Sequence, residues 1–302
     1  MAIPLISHPA YSFPFPSKHR FPMDKFARLT DYLSHKTILT PSNLFRPGRS
    51  KDELLQQAHC PNYIDAFIHN RLDPKALRRM GLPWSEPLVK RTLISPNGTF
   101  LAAQLALKYG IACHLAGGTH HAHFDFASGF CIFNDLAITA NALLLQGKVK
   151  KLLIFDCDVH QGDGTASILN NNDRAYTCSI HCEKNFPAKK ATSNIDVALK
   201  PDTKDDQYVA CVHDTLLQLI EEQQPELIIY DAGVDVYEHD PLGLLSITLQ
   251  GIRQRDRAVL EMCKKHNIPV VTVIGGGYDD DCAALAQRHA IVTEEAYRIF
   301  VD

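Results

Sequence analysis

From Gly98 onward the chain alternates helix-patterned segments with short apolar runs, and that alternation limits the fold more than any single residue does. Helical spacing in residues 99–109 leads into Ile111-Ala112-Cys113-His114-Leu115, and residues 134–146 lead into the run 151–155. A shorter turn and helix precedes the run 175–180, residues 208–222 precede 227–230, and residues 252–265 precede 269–274. Strand, helix, strand in repetition predicts a parallel sheet, because successive parallel strands need a long crossover, usually helical, to return to the starting edge. The expected class is therefore α/β, a three-layer α/β/α arrangement around a mainly parallel central sheet. The first hundred residues are less regular: Pro4, Pro9, Pro14, Pro16 and Pro22 break the opening, and helical spacing at 23–29, 52–55 and 63–69 reads as a helical layer. With 302 residues, 45% of them hydrophobic, and no Pro/Gly/Ser-rich linker, a single domain is expected over 1–302.

Each apolar run ends in a polar or glycine-rich cluster. Gly117-Gly118-Thr119-His120-His121 follows the first, Asp156-Cys157-Asp158-Val159-His160 the second, and Ser179-Ile180-His181 closes the third. Asp231-Ala232-Gly233-Val234-Asp235 follows the fourth and Gly275-Gly276-Gly277-Tyr278 the fifth. Strand carboxyl ends share one edge of a parallel sheet, where ligand sites form, so the five clusters are expected to converge. Alternate side chains of an extended segment share a face, which would project Asp156, Asp158 and His160 together. Three buried ionisable groups are costly unless a partner offsets them, and a divalent metal would do so. Asp-x-Asp-x-His alone reads equally well as a strand-end turn with capping carboxylates. Asp235, arriving from an independent strand, favours the metal: Asp158, His160 and Asp235 supply three ligands and leave a position open, as in catalytic zinc sites.

The tandem His120-His121 suits a base that takes a proton from water acidified by such an ion to a pKa of about 7. Each ring needs an acceptor on its other nitrogen, and Asp156 and Asp163 are the candidates. Tyr278 would bring a phenol O–H to an oxyanion forming at a carbonyl.

The net charge of −3 and the lack of a Lys/Arg stripe argue against direct nucleic-acid binding, although basic protein substrates stay possible. The opening lacks a basic segment followed by a long apolar one, and no run approaches about 18 apolar residues, so no membrane association is expected. Nine cysteines fall singly, Cys113, Cys157 and Cys178 among them within apolar runs, and no C-x-x-C pair occurs; reduced cysteines in a cytoplasmic protein follow.

As a set these segments resemble the zinc-dependent histone deacetylase family, with its acetylpolyamine amidohydrolases and acetoin-utilisation proteins, in the arginase–deacetylase fold. The likeness rests on Gly117-Gly118-Thr119-His120-His121-Ala122, Ala127-Ser128-Gly129-Phe130-Cys131 with Asn134-Asp135, and residues 156–165. Ser179-Ile180-His181, Gly233-Val234-Asp235 leading to Asp240-Pro241-Leu242-Gly243, and residues 275–278 complete it. The opening Ser17-Lys18-His19-Arg20-Phe21-Pro22-Met23 and the short chain look most like the class IV and bacterial class IV-like branch.

The resemblance implies one zinc ion on Asp158, His160 and Asp235, His121 as general base, His120 as its electrostatic partner, Asp156 bonded to His120 and Asp163 to His121. Tyr278 would polarise the acyl carbonyl, and Gly129, Phe130 and Phe186 would line an acyl-lysine tunnel. A potassium ion beneath the zinc is implied on the side chain and carbonyl of Asp156, the carbonyls of Asp158 and His160, and Ser179 with Ile180. Gln161 stands where many members have a second histidine, with packing rather than chemistry expected to change. No segment aligns with the family loop that carries an acidic residue at the tunnel rim. The implied activity is removal of an acetyl or longer fatty acyl group from lysine in proteins. The alternatives are an acetylpolyamine or other small amide as substrate, a binuclear manganese ureohydrolase, or a non-catalytic acyl-lysine binding module.

Overall fold

The structure, a computed structural model, describes residues 2–301. Eight strands form one sheet: β1 Leu5–Ile6, β2 Leu44–Phe45, β3 Ile111–His114, β4 Leu152–Asp156, β5 Ala175–Cys182, β6 Ile195–Leu199, β7 Ile228–Asp231 and β8 Val270–Val273. Their order is β2-β1-β3-β8-β7-β4-β5-β6, and every neighbouring pair is parallel. The central strands β3, β4, β7 and β8 are buried at every position, so they read as unbroken apolar runs. β6 sits at an edge and alternates half-buried or buried with exposed positions, a period-two signal spread over only five residues; it is absent from the sequence reading, as are the two-residue strands β1 and β2.

The helices are α1 Lys25–His35, α2 Asp52–Leu55, α3 Pro61–Ile68, α4 Pro74–Met80, α5 Glu86–Tyr109, α6 Asp135–Leu145, α7 Asp163–Leu169, α8 Asp205–Gln223, α9 Leu249–Lys265 and α10 Cys282–Phe300. Neighbour contacts run α8–α9–α10–α1 in one layer and α5–α6–α7 in the other, which completes the three-layer α/β/α architecture. α5 begins at Glu86, well before the expected residue 99, because Pro96 and Gly98 read as breakers in isolation. Gly98 is needed for space: a Cβ there would meet the Tyr11 hydroxyl at 2.5 Å. α10 is capped by Asp281, whose carboxylate accepts from the Ala283 and Ala284 amides at 2.9 and 3.0 Å.

Register sets the site. Asp156 at the end of β4 pairs with Asp231 at the end of β7 and with Ser179 on β5, and Asp231 pairs with Val273 on β8. β4, β7 and β8 thus end level, directly below the polar clusters that follow them, while β5 runs on to Cys182.

Candidate active site

Beyond Asp156 the chain leaves the strand, so the period-two expectation lapses there and the acidic residues divide into two groups. Asp158, His160 and Asp235 present ligand atoms that all lie within 4.8 Å of one another, while Asp156 joins His120 and Asp231 in a second such group. His160 Nδ1 lies 3.0 Å from Asp158 Oδ1 and 3.1 Å from Asp235 Oδ2. Backbone amides aim the carboxylates: Gly276 N–H donates to Asp158 Oδ2 at 2.6 Å and Val159 N–H to Asp235 Oδ1 at 2.9 Å. Burial and the adjacent Asp158 charge raise the Asp235 carboxyl to about 6. Burial opposes charge on His160, but the two carboxylates outweigh it and lift the imidazole to about 10. Two carboxylates and an imidazole turned toward one point, each buried, form a donor set that fits a divalent cation. The fit is tight. A Cβ on Gly276 would collide with the Asp235 carboxylate and lie 2.6 Å from Asp158 Oδ2; one on Gly233 would also lie 2.6 Å from Asp158 Oδ2.

The flanks of this trio are tied to the core by Arg255 of α9, a fully buried residue. Its guanidinium donates to the Gly233 carbonyl at 2.6 Å, the Ala232 carbonyl at 3.2 Å and the Cys157 carbonyl at 3.3 Å, and its Nε donates to Asp256 at 2.9 Å.

The histidine pair is held from behind by the start of α6. Asp135 accepts from the Thr119 amide at 2.8 Å and the Gly118 amide at 3.2 Å, and the Asn134 side chain donates to the Ala122 carbonyl at 3.1 Å. His120 Nδ1 lies 2.7 Å from Asp156 Oδ2, and His121 Nδ1 lies 2.6 Å from Asp163 Oδ1. The dyads differ electrically. Burial opposes charge on His120, yet Asp156 and Asp158 outweigh it and hold the imidazole well above its ordinary pKa. Burial, reinforced by the charge of His120, pushes His121 down to about 4. The two rings are thus biased in opposite senses, His120 toward the charged form and His121 toward the neutral one.

Tyr278 follows the glycine-rich turn. Its amide donates to Asp240 Oδ2 at 2.7 Å, and Lys25 Nζ donates to the Gly277 carbonyl at 3.2 Å and approaches the Gly275 carbonyl at 3.4 Å. Asp240 and Lys25 therefore brace the turn on both sides. Among the described residues the Tyr278 hydroxyl has no hydrogen-bond partner.

A cavity of about 570 Å³ leads inward from the surface past Gly129, Phe130 and Phe186 to His121, His160 and Tyr278. A smaller one of about 40 Å³ continues past the same histidines to Lys25, Arg91 and Gly118. The Phe186 ring stands edge-on to His121 at 4.8 Å, and the Phe130 ring lies 6.0 Å from Tyr278. Phe130 has a φ of 65°, unusual for a side chain of its size, in a turn fixed by its own amide donating to the Met80 carbonyl at 3.0 Å. Gly129 beside it has a φ of 53°, and a Cβ there would come within 2.6 Å of the His121 ring and 3.2 Å of Phe186.

The Histone deacetylase domain family matches residues 19–295 of the chain. This chain belongs to the histone deacetylase family. An uncharacterized protein of Picosynechococcus is 43% identical over 99% of this chain and the whole of that protein. Histone deacetylase 2 of Arabidopsis thaliana is 30% identical over 86% of this chain and 70% of its own length. Acetoin utilization protein AcuC of Staphylococcus aureus is 28% identical over 88% of this chain and 74% of its own. Among solved structures, an HDAC homolog complexed with SAHA superposes with a TM-score of 0.80 at 20% identity, covering 100% of this chain and 89% of that one, and shares the fold. The protein is accordingly a hydrolase of the histone deacetylase type, a deacetylase or amidohydrolase.

Within that family frame, several residues at the site escape sequence reasoning. His123 shares Asp163 with His121, its Nε2 3.1 Å from Asp163 Oδ2, and the only signal is the spacing His-His-x-His. Asp231 is fully buried, and among the described residues neither of its oxygens has a hydrogen-bond partner. Burial and the Asp156 charge raise its pKa far above the ordinary carboxylate value. Lys25 and Arg91 lie far upstream in helices whose spacing announces packing, not chemistry. Gln161, the departure noted above, donates to the Ala191 carbonyl at 2.9 Å and to Asp196 at 2.7 Å, fastening the loop before β6. No helix among the described residues is long and apolar enough to cross a membrane.

Proposed function

We propose that the protein hydrolyses the amide between an acyl group and the side-chain amine of lysine, with one zinc ion held by Asp158, His160 and Asp235. The observation that carries this reading is convergence. The metal-ligand trio, a charged and a neutral histidine dyad, and a free phenol meet at the inner end of one aromatic-walled passage. When bound, zinc supplies a Lewis acid that polarises the acyl carbonyl and brings the pKa of water near neutrality.

The residues do the rest. His121, neutral and oriented through Nδ1 by Asp163, has Nε2 free to take a proton from the attacking water. His120, kept charged by Asp156, opposes negative charge as the tetrahedral species forms. Tyr278 donates its O–H to the oxygen that gains charge, and the histidine pair returns a proton to the leaving amine. Gly129, Phe130 and Phe186 enclose the aliphatic stem and exclude water from it.

The proposal extends to a potassium ion on the side chain and carbonyl of Asp156, the carbonyls of Asp158 and His160, and Ser179 with Ile180, supported by the register that sets Asp156 beside Ser179. It also places the protein in the cytoplasm, in keeping with nine cysteines that are all unpaired. The test is turnover by zinc-loaded protein on a panel of acyl chain lengths carried by lysine peptides and by polyamines. Acid release from lysine peptides, abolished by chelation and restored by zinc, is expected. Peptide binding without release, or activity confined to polyamines, overturns the assignment.

A further inference from the structure

The mouth of the passage carries a charge opposite in sign to that of the whole chain. Arg20 comes from the segment before α1, Arg78 and Arg79 from the last turn of α4, and Lys184 from the loop after β5; all four are exposed and line the outer cavity, and among the described residues no aspartate or glutamate lines it. The chain as a whole has a formal charge of −3, so this rim is a local reversal. Basic residues in the last turn of a helix are ordinarily explained by the helix dipole, and Arg78 and Arg79 alone would need nothing more. Arg20 and Lys184 have no such explanation, and they reach the same opening from distant parts of the chain.

Little neutralises the four. Among the described residues, Arg20 and Arg78 make no ion pair or hydrogen bond, and Arg79 donates to the Ala127 carbonyl at 3.2 Å with its guanidinium 3.8 Å from the Phe126 ring centre. Lys184 has only Glu183, at 3.9 Å, and both side chains face solvent. Asp279 and Asp280 lie in the adjoining groove that Arg20 also borders, and Asp279 is engaged by Arg288 at 2.6 Å. Two exposed apolar side chains, Phe186 and Leu244, complete the rim.

We infer that the preferred substrate is an acyl-lysine set in an acidic stretch of polypeptide, with Asp or Glu on either side of the modified residue meeting Arg20, Arg78, Arg79 and Lys184. The inference rests on the acyl-lysine reading of the site and supplies what that reading leaves open, the chemistry around the lysine. A polyamine keeps cationic amines beside its acylated nitrogen, and a basic tail carries Lys and Arg; both bring like charge to the rim.

The experiment uses the zinc-loaded full chain and three fluorescein-labelled acetyl-lysine peptides of equal length, whose neighbouring positions are Asp, Gln or Arg, together with an acetylated polyamine. Exposed ion pairs are individually weak, so two or three of them acting together should favour the Asp peptide over the Gln peptide by roughly three- to tenfold in Kd and kcat/KM. The Arg peptide should fall below Gln by a similar factor. The preference should largely vanish in 1 M salt, where the screening length is about 3 Å. Arg78→Glu and Lys184→Glu, both at exposed positions, should each shrink the ratio of kcat/KM for the Asp peptide to that for the Gln peptide, and Arg78→Lys should keep it. Equal Kd for the three peptides, or tighter binding of the Arg peptide or the polyamine, overturns the inference. Absent turnover of every peptide counts against the proposed reaction, and the Kd ranking then still decides the rim.

Discussion

Replacing Tyr278 with phenylalanine deletes one oxygen and separates the phenol's part in the reaction from its part in the fold. The ring is 8% exposed, packs 6.0 Å from Phe130 and sits on a turn fixed through its backbone by Asp240 and Lys25. None of those contacts uses the hydroxyl. Its removal orphans no buried partner, so the change in stability should stay within about 0.5 kcal/mol, as for substitutions that disturb no buried feature. Catalysis should respond very differently. A preorganised donor to a developing oxyanion is worth about 2.7–4 kcal/mol, or 10²–10³ in kcat. The donor acts on charge that exists only in the transition state, so KM should move little. The assay is steady-state hydrolysis of an acetyl-lysine peptide by zinc-loaded protein, with metal content and thermal midpoint measured on the same samples. A fall in kcat of less than about threefold at full metal content would refute the role given to the hydroxyl. A midpoint lowered by many degrees would refute the claim that the hydroxyl is structurally idle.

Gly276→Ala would place a methyl group against the Asp235 and Asp158 carboxylates, so elemental analysis should find well under half of the wild-type zinc per chain; full occupancy would show that the trio can part to admit the methyl. A pH dependence follows from His121, whose folded-state pKa of about 4 lies below the ordinary value of 6.5. The unfolded chain takes up this proton first on acidification, so the group's contribution to stability is complete above about pH 6.5 and is lost as pH falls toward 4. In kcat, measured with zinc saturating, the acid limb assigned to the base should lie below pH 6.5, and a limb above pH 7 would contradict a neutral, buried His121.

The sheet was legible because buried parallel strands read as apolar runs, and the polar residues that ended those runs were the ones the strand register brought level. That edge also gathered the histidine pair, the two aspartates behind it, and Asp158, His160 and Asp235, whose ligand atoms could hold a metal ion. The trio's separation from Asp156 did not, since alternation describes side chains only while the backbone stays extended. Lys25, Arg91 and Arg255 were opaque for another reason. Each sits in a helix whose spacing announces packing, and only the folded chain shows that their long side chains reach backbone carbonyls. The rim cations were likewise invisible as a group, because Arg20, Arg78 and Lys184 become neighbours only through tertiary structure.

The glycines around the carboxylates divide the molecule into parts with unequal freedom to vary. At Gly118, Gly233 and Gly276 there is no space for even a methyl group, so drift there is closed off and the reaction itself is conserved by geometry. The opening some distance outward is built from solvent-facing side chains that few neighbours constrain. Single changes at the entrance can therefore alter which substrates are admitted, while the crowded interior passes on unaltered.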